Sequence, residues 1–459
     1  MKKSILDWKF TDSQILLISL VLGAYWGAFI DLQWNELVEV GLVLSGLIKA
    51  YVPWHAAGDF SSQSVLSALL FKAGIDLDIA AVSLSSITVG LAFTSISAVI
   101  LIFTDIKAVA LITPILLCKF PFYNFHYYPV KFPNYNYVFA QIGMYWALLT
   151  IALIVLRKTR TAYFLSGILF GVHLMWGVGC ILFLIFYNVL NDKNRINKQE
   201  LLCFSLSIII SIISFFYFKQ LQDELNERQK NNLISSTYQS KSVDIKYVNE
   251  IDRYKEKSYQ ITDAPLLMSR ADQHESGRGS HNLLFRDSKY PIFEGAKFFI
   301  PEISLLLLFY LLSRNKLLAC EKKRLFVQVL IGLQSLLVFY KLLDEVDPSW
   351  TVLNWISPEL FELMMRAMPH RILNLDSIIL PSILICLLIN LAFRKKDLLF
   401  KGLFVLLLIC PLMPNTAGQN FGFKELIDLL FPQLLLFGFS FSCVYLFLIF
   451  HSFKKTVLN

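Results

Sequence analysis

Charged residues are scarce in this chain of 459 residues: Asp, Glu, Lys and Arg together supply 17% of it, whereas 56% is hydrophobic. A soluble domain has about a quarter of its residues charged, so this composition is shifted towards contact with lipid. The apolar residues are gathered in runs of spanning character, which predicts an all-α, polytopic transmembrane helical bundle. The runs cover residues 13–30, 80–103, 108–117, 137–156, 163–190, 201–218, 298–312, 325–343, 378–393, 403–413 and 430–450.

Several sequence motifs are missing, and each absence removes a class of protein. There is no P-loop, which argues against an ATP-driven pump, and no HExxH or GxSxG motif. The apolar runs contain almost no Asp, Glu or Lys, which weakens an ion-coupled transporter. None of the seven cysteines forms a CxxC pair, which argues against a zinc site or a disulfide framework. The net charge of +8 comes from short connecting loops and predicts no nucleic-acid partner.

The basic residues of the short loops predict the topology. If residues 163–190 formed one long tilted span, the dense basic cluster at 314–324 would lie outside the cell, against the positive-inside rule. A helical hairpin would return that cluster to the cytoplasm, and Gly167, Gly171, Gly177 and His173 interrupt the run where a hairpin needs a break. We therefore expect about 10–12 spans including this hairpin, in a bacterial inner membrane, with both termini cytoplasmic.

Three regions follow from this topology. Residues 1–218 form an N-terminal transmembrane bundle, residues 219–295 a polar, partly disordered extracytoplasmic loop, and residues 296–459 a C-terminal transmembrane bundle. Within the first region, residues 62–73 alternate polar and apolar side chains at helical spacing, which predicts a helix lying in the membrane plane.

Candidate catalytic residues lie in the outer segment that follows the first span. Asp31, Asp59 and His55 are carboxylates and an imidazole at the mouth of the bundle, where they could act as a general base or as metal ligands. Solvated loop charge is the competing interpretation. The sequence identifies no cofactor with certainty and leaves a divalent metal ion open.

Two later segments carry arginine and histidine next to predicted spans. Arg278 and His281 precede the span at 298–312, and Arg366, His370 and Arg371 precede the span at 378–393. Arginine binds phosphate through two parallel hydrogen bonds, so these residues are candidates for holding a lipid phosphate. Basic residues at an outer boundary violate the positive-inside rule locally, and an anionic partner would explain the violation.

His173 and Trp176 lie near the predicted hairpin turn and are candidates for substrate binding. A polar residue at a helix break inside a membrane is functional more often than one on a regular helix face. A packing role for both residues is the alternative.

Three parts of the sequence resemble a known group of proteins: residues 167–176, residues 368–374, and the Asp-bearing loop after the first span. They resemble bacterial membrane proteins of surface-polysaccharide biosynthesis, similar to GT-C-type glycosyltransferases and O-antigen polymerases. The resemblance implies glycosyl transfer from a polyprenyl-phosphate-linked donor on the extracytoplasmic side. It also implies an acidic residue in the first outer loop, for which Asp31 and Asp59 are the candidates, and Arg and His in later outer loops.

The sequence hypothesis is therefore a membrane glycosyltransferase or polysaccharide polymerase, with the lipid bilayer and a polyprenyl-linked sugar as partners. Arg278, Arg366 and Arg371 would hold the pyrophosphate, and Asp59 or Asp31 would activate the acceptor hydroxyl. His281 or His370 would assist proton transfer. The alternatives are a flippase or transporter of a lipid-linked sugar, and a non-catalytic subunit of a polysaccharide assembly system.

Overall fold

The computed structural model describes residues 10–29, 36–46, 60–104, 106–119, 139–190, 197–230 and 324–332, with a few short or single positions between 335 and 386. Every regular element in these ranges is helical, which confirms the all-α class for the described part of the chain. The helices are α1 Asp12–Phe29, α2 Glu36–Ser45, α3 Ser62–Lys72, α4 Leu77–Phe103, α5 Lys107–Lys119, α6 Phe139–Val155, α7 Thr159–Val172, α8 Leu174–Leu190 and α9 Lys198–Lys230. Residues 324–332 are also helical.

Small residues bring α1 and α4 into close contact. A Cβ atom built on Gly27 would lie 2.6 Å from the carbonyl oxygen of Ser85, and one on Gly23 would lie 2.6 Å from that of Val89. Further along, the hydroxyls of Ser19 and Ser97 share a hydrogen bond of 2.7 Å. The pairing order shows that the two helices are antiparallel. Small residues four apart at a helix contact are typical of helices that pack in a membrane.

The chain reverses direction at His173. Helix α7 ends at Val172, His173 is extended with φ −162° and ψ 111°, and α8 begins at the next residue. The side-chain amide of Asn188 donates to the hydroxyl of Tyr163 at 2.9 Å across a sequence separation of 25. In one continuous helix these residues would be about 37 Å apart. Helices α7 and α8 are therefore antiparallel, and the break predicted within residues 163–190 is confirmed.

A second seam of small residues joins α7 to α9. The hydroxyl of Ser211 donates to the carbonyl of Gly167 at 3.0 Å. A Cβ atom on Gly167 would meet the hydroxyl of Ser207 and would lie 2.8 Å from the carbonyl oxygen of Phe204, while one on Gly171 would meet Ser211. Residues 167 and 171 thus pair in order with 207 and 211, so α7 and α9 run in the same direction.

Charged side chains segregate to the two ends of this helix assembly. One end, which we call the basic end, contains the starts of α1, α5, α7 and α9. Lys107 and Asp12 form an ion pair there, and Phe326 contacts both Phe103 and Phe183, with ring centroids 5.8 and 6.3 Å apart. The charged residues at the basic end are Asp12, Lys107, Arg157, Lys158, Arg160, Lys198 and Glu200. The opposite end, which we call the turn end, contains Lys72, Asp76, Asp78, Lys219, Asp223, Glu224 and Glu227.

Two helices of the described residues, α4 and α9, are long and apolar enough to cross a membrane, which points to a membrane protein. Helix α4, at 27 residues, is mostly buried between its neighbours, whereas α9, at 33 residues, is mostly exposed along its apolar part. Helices α1, α6 and α8 are apolar but shorter.

Helix α3 runs alongside α9. At its start, Ser62 and Ser211 both approach Gly171, and at its end the Lys72 ammonium forms an ion pair of 2.6 Å with Glu224. Both helices therefore share one orientation relative to any membrane. The prediction of a helix in the membrane plane at residues 62–73 is incompatible with an α9 that crosses the membrane.

Two helix ends use the same backbone motif with different residues. Gly74 has φ +78°, and the N–H of Ile75 donates to the carbonyl of Leu70 at 3.0 Å. Arg157 has φ +61°, and the N–H of Lys158 donates to the carbonyl of Leu153 at 2.9 Å. Each is a helix end closed by a left-handed residue, a position that favours glycine.

This difference predicts opposite effects of substitution. Gly74→Ala should lower the free energy of unfolding by about 1 kcal/mol, because alanine is strained at positive φ. Arg157→Gly should raise it slightly, since relief of about 1–2 kcal/mol of strain outweighs about 0.4–1 kcal/mol of added chain entropy in the unfolded state. Thermal melting of the detergent-purified variants measures both changes. Shifts of the same sign would contradict the assignment.

Candidate functional site

The first turn of α3 meets the hairpin turn between α7 and α8, and we call this region the polar junction. It consists of Ser61, Ser62 and Gln63 at the start of α3 together with the backbone of Gly171 and Val172 at the end of α7. The buried hydroxyl of Ser61 donates to the carbonyl of Val172 at 3.0 Å, and the N–H of Gln63 donates to Ser61 Oγ at 3.3 Å. The last carbonyls of a helix have no partner within it. Ser61 thus binds the end of one helix while capping the start of another.

Glycine at position 171 allows α3 and α9 to approach α7 closely. A Cβ atom on Gly171 would contact the hydroxyl of Ser62 on one side and lie 2.8 Å from that of Ser211 on the other. A side chain at residue 171 would therefore displace the serine hydroxyls of two helices. The junction joins α3, α7 and α9 at one point, which fixes the position of the hairpin turn.

Two side chains in the first turn of α3 have buried polar atoms without hydrogen bonds to the described residues. Ser64 is fully buried, and its hydroxyl has no partner within the described residues. Both amide atoms of Gln63 are shielded from solvent and likewise bond to nothing in that part of the chain. Leaving a buried polar group unsatisfied costs about 1–3 kcal/mol. Such groups are uncommon in native structures, and a function or a ligand is one explanation for them.

The structure places the two predicted residues of the hairpin turn differently. His173 is half-buried, a Cβ atom on Gly143 of α6 would lie 2.9 Å from His173 Cβ, and the backbone N–H of His173 donates to the carbonyl of Leu169 at 2.8 Å. Trp176 is only 3% exposed and packs against α6, where a Cβ atom on Gly143 would lie 2.5 Å from Trp176 Cδ1. Trp176 therefore holds the turn against α6, and its ring face is not open for stacking on a sugar.

The other predicted site residues lie outside the described residues, so their positions stay predictions. They are Asp31, His55, Asp59, Arg278, His281, Arg366, His370 and Arg371. Within the described ranges, no group of three or more His, Cys, Asp or Glu side chains is arranged to hold a metal ion. The prediction of a divalent metal is likewise untested.

Sequence reasoning missed the polar junction itself. Its signal was the tetrapeptide Ser61–Ser64 between apolar stretches, which is a helix-start pattern. Nothing in the sequence indicated that this helix start would meet the His173 turn. Chemically, the junction offers hydroxyl groups and one carboxamide. These groups donate and accept hydrogen bonds and suit a neutral, hydroxyl-bearing ligand.

Comparison with known proteins gave no relative: no family model matches the chain, and neither the curated proteins nor the solved structures contain a match. Its class is therefore argued from its own sequence and geometry.

Proposed function

We propose that this chain is a polytopic inner-membrane protein with its basic end in the cytoplasm. It transfers or polymerises sugars carried on a polyprenyl phosphate, at the extracytoplasmic face, to which the turn end belongs. The two termini are cytoplasmic in this proposal. Both the reaction and the sidedness are hypotheses that the experiments below test.

The segregation of charge supports the membrane orientation in this proposal. Lys107, Arg157, Lys158, Arg160 and Lys198 lie at the basic end, whereas the basic residues given above for the turn end are Lys72 and Lys219. Lysine and arginine in short loops mark the cytoplasmic side of a membrane protein. The antiparallel hairpin is what brings Arg157–Arg160 and Lys198 to the same end, since it returns the chain to its starting side.

Exposed apolar side chains support the membrane assignment. On α1, Leu17, Val21 and Tyr25 are four residues apart and form one exposed stripe, each of them more than half exposed. Large contiguous apolar surfaces are rare on proteins surrounded by water. Contact with acyl chains removes the cost of exposing them.

The buried interior supports an enzyme over an ion-coupled transporter. The buried polar residues among the described part are serines, threonines and one glutamine, Gln222, with no Asp, Glu, Lys or Arg. Ion-coupled transporters carry ionisable residues at membrane depth. The chemistry would instead lie with residues at the extracytoplasmic face, which suits a lipid-borne substrate.

The proposed roles follow the sequence hypothesis. Asp59 or Asp31 activates the acceptor hydroxyl as a general base or through a divalent metal ion. Arg278, Arg366 and Arg371 bind the pyrophosphate, and His281 or His370 moves the proton. Loss of a general base costs about 10²–10⁴-fold in rate.

Turnover of a polyprenyl-diphosphate oligosaccharide by the purified protein in liposomes tests the proposal. We expect chain elongation or transfer by the native protein, and at least a 100-fold loss in Asp59→Ala or Arg371→Ala. Leu202→Ala, on the exposed face of α9, is the matched control and should keep full activity. Movement of the oligosaccharide across the liposome without any transfer would favour a flippase. Neither transfer nor movement would favour a non-catalytic subunit, and either result overturns the enzyme proposal.

A further inference from the structure

Three cations lie together where α6 ends and α7 begins, and we call them the cation cluster. Arg157, Lys158 and Arg160 fall within four consecutive positions, and all three are exposed. None of them takes part in an ion pair within the described residues. Like charges this close repel one another, so the cluster carries a positive charge that its own side chains do not offset.

The acidic residues described at the same end do not neutralise the cation cluster. Asp12 forms its ion pair with Lys107, and a carboxylate oxygen of Glu200 accepts the backbone N–H of Asn197 at 2.9 Å. Helix α7 has no acidic residue in its first turn, and its N-cap side chain makes no capping hydrogen bond. Because the first N–H groups of a helix carry partial positive charge, cations beside them are unfavourable. An anion against the cluster would offset both repulsions.

Arg157 occupies its position at a cost in backbone strain. Its φ of +61° is the only positive φ of a non-glycine residue among the described residues. Glycine would close the same helix end without that strain. A strained residue that is not needed for the backbone turn points to a function of its side chain. The side chain here is a guanidinium, which binds phosphate oxygens through two parallel hydrogen bonds.

Helix α9 gives the level of the cation cluster relative to lipid. Gly167 of α7 meets Ser207 of α9, and the two helices run in the same direction, so Lys158 is level with Lys198. The uncharged stretch of α9, residues 201–218, starts just beyond this level. As a helix it is about 27 Å long, close to the hydrocarbon thickness of about 30 Å. The cluster therefore lies at one boundary of the hydrocarbon, at the level of the headgroup phosphates.

Exposed apolar side chains adjoin the cation cluster on the hydrocarbon side. The end of α8 lies beside the start of α7, because Asn188 bonds to Tyr163. On this part of α8, Ile185 is 52% and Val189 is 68% exposed, and at the start of α9 Leu202 is 69% exposed. Cations at the headgroup level above exposed apolar side chains fit a molecule that has an anionic headgroup and acyl chains.

We propose that the cation cluster and this apolar surface form a binding site for an anionic phospholipid of the bilayer. The two guanidinium groups and the ammonium group bind the phosphodiester, and the acyl chains lie along α8 and α9. A zwitterionic phospholipid has the same phosphodiester together with a positive group, which the cluster repels. The site therefore selects lipids by the net charge of the headgroup. It lies at the basic end, away from the proposed sugar chemistry, and is independent of it.

Lipid selectivity of the full-length protein in neutral detergent micelles tests the site. Phosphatidylglycerol and phosphatidylcholine are titrated in turn, and the bound lipids are counted by native mass spectrometry. The native protein should prefer phosphatidylglycerol at least tenfold, and the triple variant Arg157→Gly, Lys158→Gln, Arg160→Gln should bind the two lipids equally. Lys219→Gln, which removes an exposed cation of the turn end, is the matched control and should keep the preference. Equal binding by the native protein, or an undiminished preference in the triple variant, would overturn the site.

The single variant Arg157→Gly separates lipid binding from stability. It should raise the melting temperature in lipid-free micelles, because strain at positive φ is relieved. It should also weaken phosphatidylglycerol binding about fivefold, the contribution of one cation near an anionic surface. The two changes are opposite in sign, so loss of structure cannot account for the weaker binding. Unchanged affinity in this variant would overturn the role assigned to the guanidinium.

A soluble competitor separates a lipid headgroup from a free phosphate. Glycerol phosphate at ten times the lipid concentration should leave phosphatidylglycerol bound, because it has no acyl chains to contact α8 and α9. Displacement would assign the cluster to a soluble phosphate and overturn the lipid proposal. Lipid preference in a protein without glycosyl transfer keeps this site and rejects the proposed function, whereas transfer without lipid preference does the reverse.

Discussion

Gly27→Ala should destabilise the protein, although the same substitution usually stabilises a helix. The Cβ atom would lie 2.6 Å from the carbonyl oxygen of Ser85 and 2.9 Å from Ser86 Cα, and both atoms belong to the backbone of α4. Since a backbone cannot rotate away as a side chain can, α1 and α4 must separate. Overpacking of this kind costs about 1–3 kcal/mol, and Gly27→Leu, with its larger side chain, should prevent the two helices from packing at all.

Gly332 supplies the matched control, because a Cβ atom there would have no atom within 4 Å and residues 324–332 are helical. Gly332→Ala should raise stability by up to about 1 kcal/mol, the ordinary helix preference for alanine. Both variants are compared by thermal melting in the same detergent. A higher melting temperature for Gly27→Ala than for the native protein would mean that the α1–α4 contact is looser than the structure shows.

Each engineered cysteine should react with an impermeant reagent from one side of the membrane only, and that side should depend on the end of the molecule at which the cysteine lies. Cysteines at Lys158 and Lys198, exposed residues of the basic end, should react with an impermeant maleimide only in inside-out vesicles. A cysteine at Asp76, exposed at the turn end, should react only in intact spheroplasts. The physical basis is that Asn188 bonds to Tyr163, so the end of α8 returns to the side from which α7 starts.

The native cysteines are removed first, because Cys203 is partly exposed on α9 and would add a background signal. Thermal melting of the cysteine-free protein shows whether it still folds. Reaction of positions 158 and 198 on opposite sides of the membrane would contradict the hairpin. Reaction of all three positions on one side would falsify the division into a basic end and a turn end.

The hairpin could be predicted because two independent signals in the sequence agreed. Glycines weakened the helix near His173, and the positive-inside rule required an additional reversal there. The structure then showed that Gly167 and Gly171 serve close packing against α9, while the break itself falls at His173. Glycine in this segment can indicate either a helix break or a close helix contact, and composition alone could not distinguish the two.

The orientation of α3 and the polar junction could not be predicted from the sequence for a related reason. Periodicity shows that residues 62–73 have one apolar face, but it does not identify which neighbour covers that face. The neighbour that covers most of this face is α2, where the Ser67 hydroxyl donates to the carbonyl of Leu37 at 2.6 Å. Helix α9, more than a hundred residues later, is tied to α3 by the Lys72–Glu224 ion pair. A serine such as Ser61 is an ordinary helix cap by sequence, and only its bond to Val172 shows that it joins two distant segments.

The shortness of the hairpin helices has a consequence for biosynthesis. Helix α7 has 14 residues and α8 has 17, so neither is long enough to be retained in a bilayer by itself as it leaves the ribosome. The carbonyl of Val172 at the end of α7 accepts from Ser61, which is made earlier, and the glycine seam of α7 is filled by α9, which is made later. In the proposed topology we therefore expect the pair to enter the lipid together, and a chain stopped before α9 would lack the helix that packs against Gly167 and Gly171.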